Sequence, residues 1–212
     1  MMLDGHINNM IFSLITAFAV TFLLVPNLIY LAKRKNLVDV PDDRKIHSVS
    51  IPTLGGIGIL AGFLFSMSFW TSFEECRHLQ QIVTSVIIIT MIGIRDDLIG
   101  LSAFKKAMGQ LLATIIVVIW GNVRITYMFS SFVMFIIINA FNLIDGINGL
   151  AASLGIVASF AFGVYFYMTG EMYQPAILAF ALTGSLLAFL RFNITPAKIF
   201  MGDTGSMLVG LI

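Results

Sequence analysis

Long hydrophobic runs alternate with short polar interruptions along the chain. A helix needs about 20 apolar residues to cross a bilayer, with ~17 as a practical minimum. By that rule spans fall near 9–32, 54–72, 80–95, 106–121, 127–144, 150–169 and 174–191, and an eighth begins near 205. The pattern predicts an all-α fold, a polytopic transmembrane helical bundle with seven complete spans and the start of an eighth. The closing run "SMLVGLI" is apolar and stops short of a full crossing. The chain therefore reads as truncated inside a span, with residues 1–212 as a single integral-membrane domain incomplete at its C-terminus. Pro26 and Asn27 interrupt the first run, which a helix surrounded by protein tolerates as a kink.

Composition agrees with the pattern. The chain is 58% hydrophobic and 11% charged, against about 25% charged in a soluble domain. A net charge of +1 supplies no field for nucleic acid, so no such partner is expected. The one cysteine, Cys76, excludes an internal disulfide and a cysteine-cluster metal site. The N-terminus lacks the basic segment of a secretory signal, so the first span reads as retained.

Charge placement orients the spans. Lys33, Arg34, Lys35, Arg44, Lys45, Arg95, Lys105, Lys106, Arg191 and Lys198 fall on one side, and only Arg77 and Arg124 on the other. The positive-inside rule makes the first side cytoplasmic and puts the N-terminus outside. Asp96, Asp97, Asn142, Asp145, Asn148 and Asp203 all fall at cytoplasmic span ends, as one site on one face would require.

Three stretches carry the candidate chemistry. In "GIRDDLIGLSAFKK" the adjacent Asp96 and Asp97 repel unless a cation or proton relieves them. They can serve one site only near a helix end. The plain alternative is an interfacial acid pair with snorkelling lysines. In "NAFNLIDGINGL", Asn139, Asn142 and Asp145 are spaced three apart and cover one broad helix face. Gly146 and Gly149 then let the chain turn, bringing Asn148 into play and allowing a ligand close to the backbone. Interhelical polar glue accounts well for one asparagine and poorly for the whole set. In "NITPAKIFMGDTGSMLVG", Asp203 stands between Gly202 and Thr204 after a helix-ending Pro196. Hard cations such as magnesium take carboxylate oxygens together with substrate phosphate oxygens. Thr204 or Ser206 is placed to cap the next helix, whose positive end would favour phosphate. Gly55, Gly56, Gly58 and Gly62 read as close helix packing. His6 and His78 have no evident partners.

At these residues the chain resembles the polyprenyl-phosphate N-acetylhexosamine-1-phosphate transferases. The likeness runs from about Arg44 to Gly210 through "RKIHSVSIPTLGG", "DDLIGLSAFKKAMGQ", "NAFNLIDGINGLAAS" and "PAKIFMGDTGSMLVG". It implies transfer of a sugar-1-phosphate from a UDP-sugar to undecaprenyl phosphate, with release of UMP, as the first membrane step of a cell-envelope polysaccharide. It further implies magnesium as cofactor, with manganese as an acceptable substitute, an inner-membrane location, and compatibility with a homodimer. By motif position Asp96 resembles the acid that handles the lipid phosphate, with Asp97 beside it, and Lys106 the lysine that contacts phosphate. Asn142 and Asp203 resemble metal-side or diphosphate-side residues. Asp145, Gly146, Asn148, Asn193 and Phe200 fall where the family holds the uridine nucleotide. Asn148 departs from the frequent bacterial "DGxDGL", which has aspartate there. The "RKIHSVSIPTLGG" stretch looks like the GlcNAc-type branch more than the phospho-MurNAc-pentapeptide branch, and the resemblance makes His47 a candidate catalytic residue. The family's later histidine-containing loop is absent from these residues, which leaves the sugar open.

Two other classes compete. An ion-coupled secondary transporter would carry its acids near the bilayer midplane, often in repeated halves. A non-catalytic scaffold of a polysaccharide-export complex would not need the whole acid set. The orientation is testable directly. Single cysteines at Ser102 and Gly170, in a Cys76→Ser background, should react with impermeant thiol reagents from opposite sides of the membrane. Reaction of both from the same side would overturn the span assignment.

Overall fold

The computed structural model describes residues 2–39, 50–72, 79–120, 127–169 and 173–212. Among them lie eight helices: α1 Met2–Arg34, α2 Gly55–Trp70, α3 Leu79–Ile99, α4 Ala103–Trp120, α5 Tyr127–Ile144, α6 Leu150–Thr169, α7 Tyr173–Asn193 and α8 Gly202–Leu211. The expected all-α bundle is the observed one. One small hairpin joins it: β1 Val38–Asp39 pairs antiparallel with β2 Ile51–Pro52, Val38 opposite Pro52. Strands of two residues leave no alternation for a sequence reading to find.

The segments His6–Arg34, Leu150–Thr169 and Tyr173–Asn193 are long and apolar enough to cross a membrane, and Gly55–Trp70 and Phe129–Ile144 are shorter apolar helices. Two boundaries differ from the hydropathy reading in a way that matters. Helix α3 continues past residue 95 to Ile99, so Asp96 and Asp97 belong to its last turn. Helix α4 starts at Ala103, so Lys105 and Lys106 belong to its first. Hydropathy ends a span at the first charge, whereas a helix continues while its polar side chains find partners.

Helix α7 packs against α1, α2 and α6, while α8 packs against α2, α3 and α5. Helix α4 lies against both α3 and α5. The largest fully buried side chains include Phe63, Phe189, Met207 and Leu208. Large apolar side chains such as Leu23, Met91, Val157 and Met168 point outward instead, as suits a surface against lipid.

Lipid is as apolar as leucine, so helices in it associate through close packing at small residues. Helix α8 shows this on three sides. A Cβ on Gly56 of α2 would lie 2.2 Å from the Gly205 nitrogen, and one on Gly93 of α3 would lie 2.4 Å from Thr204 Cα. On its third side a Cβ on Gly210 would meet Ile138 Cα of α5 at 2.6 Å. Gly62 crosses α1 just as closely, against Thr21 and the Ala17 carbonyl. The packing role expected for the Gly55–Gly62 group is the observed role.

Gly→Ala ordinarily favours a helix by about 1 kcal/mol. Here Gly56→Ala and Gly93→Ala should each destabilise instead, by roughly 1–3 kcal/mol of overpacking. Thermal unfolding in detergent checks this against Gly146→Ala, whose added Cβ would meet only the Leu143 carbonyl, at 3.7 Å. Equal stability of all three would remove the three-sided backbone contact.

Candidate active site

The site forms where α3, α4 and α5 meet the start of α8. Gly100, with φ of +78°, ends α3 in a left-handed turn that a side chain would strain. The Leu101 amide donates to Asp96 Oδ1 at 2.6 Å. Residues 100–102 thus fold α4 back along α3 and return Lys106 to Asp96. The Lys106 Nζ lies 3.0 Å from Asp96 Oδ2 and 2.9 Å from Asp203 Oδ2. It also donates to Asn142 Oδ1 at 3.3 Å. One ammonium is therefore held by three oxygens from α3, α8 and α5. On the far side of this group the Asn142 amide nitrogen donates to Asp203 Oδ1 and, at 3.0 Å, to Ser206 Oγ.

Asp97 does something different from its neighbour. It accepts from the Asp203 amide at 2.7 Å, the Thr204 amide at 3.0 Å and the Thr204 hydroxyl at 2.6 Å. Asp145 Oδ2 accepts from the Gly202 amide at 3.1 Å. The first amides of a helix lack partners within it; here carboxylates from α3 and from the turn after α5 take them. Thr204 and Ser206 were expected as caps, and both lie inside α8 instead: Thr204 donates to Asp97, and Ser206 Oγ donates to the Gly202 carbonyl at 3.0 Å. Phosphate was expected at this helix start. Its amides are already bonded to protein carboxylates, which seal it against a further anion.

Burial is the main reason that the Asp145 carboxyl is pushed well above the usual carboxylate range. The Gly202 amide opposes that shift, and the nearby charges of Asp97 and Asp203 add to it. Burial therefore favours the neutral form of Asp145 and so limits repulsion within the cluster.

The other expected residues fall at the edges. Gly146 and Asn148 are exposed on the turn between α5 and α6. Asn193 is buried and braces two loops: its Oδ1 accepts from the Gly149 amide at 2.8 Å, and its Nδ2 donates to the Ile199 carbonyl at 2.9 Å. Its amide is thus spent on shape. Phe200 joins β2 to the site through its backbone, its amide donating to the Pro52 carbonyl at 2.7 Å and its carbonyl accepting from the Gly55 amide at 3.0 Å. His47 lies outside the described residues. Sequence reasoning missed Ser206 as a partner of Asn142 and Leu101 as a partner of Asp96. It also missed Gln110, although its i, i+4 spacing from Lys106 puts both on one face.

Carboxylate and amide oxygens suit a hard cation. Among the described residues no three His, Cys, Asp or Glu side chains group as a complete metal cage. Asp96, Asp203 and Asn142 nonetheless present three oxygens around one cation, the Lys106 ammonium. Magnesium characteristically takes one or two carboxylates and completes its shell with water and phosphate. The donor set fits.

The profile of the family described as Glycosyl transferase family 4 matches residues 79–212, the part of the chain that builds this cluster. The chain belongs to that family. It is 31% identical to a decaprenyl-phosphate N-acetylglucosaminephosphotransferase of Mycobacterium leprae (strain TN), over 93% of this chain and 58% of the relative. To a probable undecaprenyl-phosphate N-acetylglucosaminyl 1-phosphate transferase of Bacillus subtilis (strain 168) it is 32% identical, over 99% of this chain and 62% of the relative. A putative UDP-N-acetylglucosamine–dolichyl-phosphate N-acetylglucosaminephosphotransferase of Saccharolobus solfataricus is 30% identical, over 94% of this chain and 67% of the relative. The chain thus spans roughly three fifths of the length of the bacterial members it matches.

The two helix-sealing acids should respond differently to amidation. Asparagine at 145 still offers an oxygen to the Gly202 amide, so Asp145→Asn should leave the melting temperature in detergent nearly unchanged. Asparagine at 97 would point a donor at one of three donors, and hydrogen bonds to a charged group are worth about 1.5–3 kcal/mol. Asp97→Asn should therefore lower the melting temperature clearly. The reverse order would show that Asp97 does not hold α8.

Proposed function

We propose that this chain carries the phosphate-handling face of an integral-membrane enzyme that transfers a sugar-1-phosphate from a UDP-sugar to a polyprenyl phosphate, releasing UMP. The observation that carries this reading is Lys106, held between Asp96 and Asp203 with Asn142 alongside. Four helices bring a cation, two carboxylates and an amide to one polar end of an apolar bundle. A lipid phosphate can reach such a site from the bilayer and a nucleotide from water. The names of the relatives point to N-acetylglucosamine as the sugar and undecaprenyl or decaprenyl phosphate as the acceptor. They favour that branch over a phospho-MurNAc-pentapeptide transferase. The one-sided distribution of basic residues supports a cytoplasm-facing site in the plasma membrane, with the N-terminus outside.

In the proposed reaction an acceptor phosphate oxygen attacks the sugar-bearing phosphorus. The new P–O bond forms as the bond to the bridging oxygen breaks, and UMP leaves with that electron pair. Asp96 orients the acceptor phosphate and takes its proton where one is present. Lys106 offsets negative charge on the oxygens passing between the two substrates. Asp203 and Asn142 are the residues that would hold magnesium. When bound, the metal supplies charge neutralisation at the diphosphate. Asp97 keeps α8, and Asp203 with it, in place. Phe200 and the Asp145–Gly149 turn, with Asn148, are assigned to the nucleotide, and His47 remains a catalytic candidate.

Membranes carrying the full-length protein should convert labelled UDP-GlcNAc and undecaprenyl phosphate to a lipid-linked product, and absence of product with every UDP-sugar tried would overturn the reading. Asp203→Asn should lower turnover by orders of magnitude, with partial recovery at high magnesium. Asp96→Asn should lower turnover without such recovery and keep UDP-sugar affinity. Equal recovery of both variants would make Asp96 a metal ligand as well.

A further inference from the structure

Beneath the Lys106 cluster three of its four helices build a second polar layer. Helices α4, α5 and α8 each contribute another residue one turn deeper: Gln110 below Lys106 on α4, Asn139 below Asn142 on α5, and Met207 below Asp203 on α8. The Asn139 Nδ2 donates to Gln110 Oε1 at 2.9 Å and to its own helix at the Phe135 carbonyl, 2.8 Å away. The Gln110 Nε2 donates to Met207 Sδ at 3.2 Å. Gln110 and Met207 are fully buried. The proposed reaction leaves this layer without a task.

We infer that Gln110, Asn139 and Met207 form a register key, a set of positioning residues that fixes how far α4 stands along α5 and α8 and so holds Lys106 level with Asp96, Asp203 and Asn142. The inference rests on the transferase reading of the site above. Apolar side chains packed in lipid restrain axial sliding weakly, because a leucine displaced from one neighbour meets another equally apolar one. A buried amide pair is different. A slip of one residue moves α4 by about 1.5 Å and turns it by ~100°. Gln110 and Asn139 would then face hydrocarbon without each other. Lys106 rides on the same face, one turn away, so any register that keeps the amides paired keeps the ammonium among its three oxygens. Asn139, which opens the asparagine series, thus serves the site from below.

The test uses the full-length protein with Gln110→Met and Asn139→Leu combined, so that no amide is left unpaired and the variant keeps its melting temperature in detergent. Spin labels on cysteines at Phe104 and Leu143, exposed positions on α4 and α5, report register in a Cys76→Ser background without reference to activity. The double variant should shift or broaden the label-to-label distance, since a one-residue slip carries an exposed label several ångströms around its helix. It should also lower kcat by roughly 10- to 100-fold, as small misplacements do, with KM for the UDP-sugar nearly unchanged. In a Lys106→Ala background the same two substitutions should cost almost nothing further. An unchanged distance distribution would overturn the register key whatever the activity. So would a shifted distance with unchanged kcat, or an equal loss with and without Lys106. If the parent protein shows no transferase activity, the functional reading fails, and the distance measurement still decides whether the layer sets register.

Discussion

The amides of Gly202, Asp203 and Thr204 open α8 and have no carbonyl of their own helix to bond. Asp97 and Asp145 take them from two other elements. An unpaired amide inside an apolar bundle is costly, so these bonds tie the start of α8 to the end of α3 and to the turn after α5. Helix α8 begins at Gly202. Its place depends on those carboxylates and on the three glycine contacts that let its backbone touch α2, α3 and α5.

Much of the site follows from that placement. With α8 seated, Asp203 projects from its first turn toward α4 and α5, where Lys106 and Asn142 meet it. The Gly55 and Gly56 amides at the start of α2 donate to the Phe200 and Met201 carbonyls just ahead of α8. Helix α2 and the β hairpin are thereby fastened to the same point. Asn193 closes the remaining gap by joining the α5–α6 turn to the loop that leads into α8. A cluster of like charges survives here because Lys106 sits between two of them and burial favours the neutral form of another.

The adjacent acids show why motif position and mechanism are separate questions. Asp96 and Asp97 differ by about 100° around α3, which aims one at a lysine and the other at a helix start. Asp96 is available to a phosphate-handling role beside Lys106. Asp97 has three donors on its two oxygens and serves placement. The same distinction separates Asn142, which faces the cluster, from Asn139, one turn deeper and paired with Gln110.

Hydropathy and spacing were enough to read a membrane bundle, its helix order and the convergence of Asp96, Asp145 and Asp203 at one end. These are local or additive properties: apolar length sets a span, and span parity sets which ends share a side. Glycines at 55, 56, 58 and 62 were legible as packing residues for the same reason, since nothing else in an apolar helix calls for them. Only the tertiary structure decided what each polar group bonds. It made α8 a helix sealed by foreign carboxylates in place of a phosphate-binding or self-capped one, and it turned Asn193 inward as a brace. It also extended α3 through its two acids and set Gln110 against Asn139. A side chain's partner depends on which helix arrives opposite it and at what height, and that is settled by long-range packing that no single stretch of sequence contains.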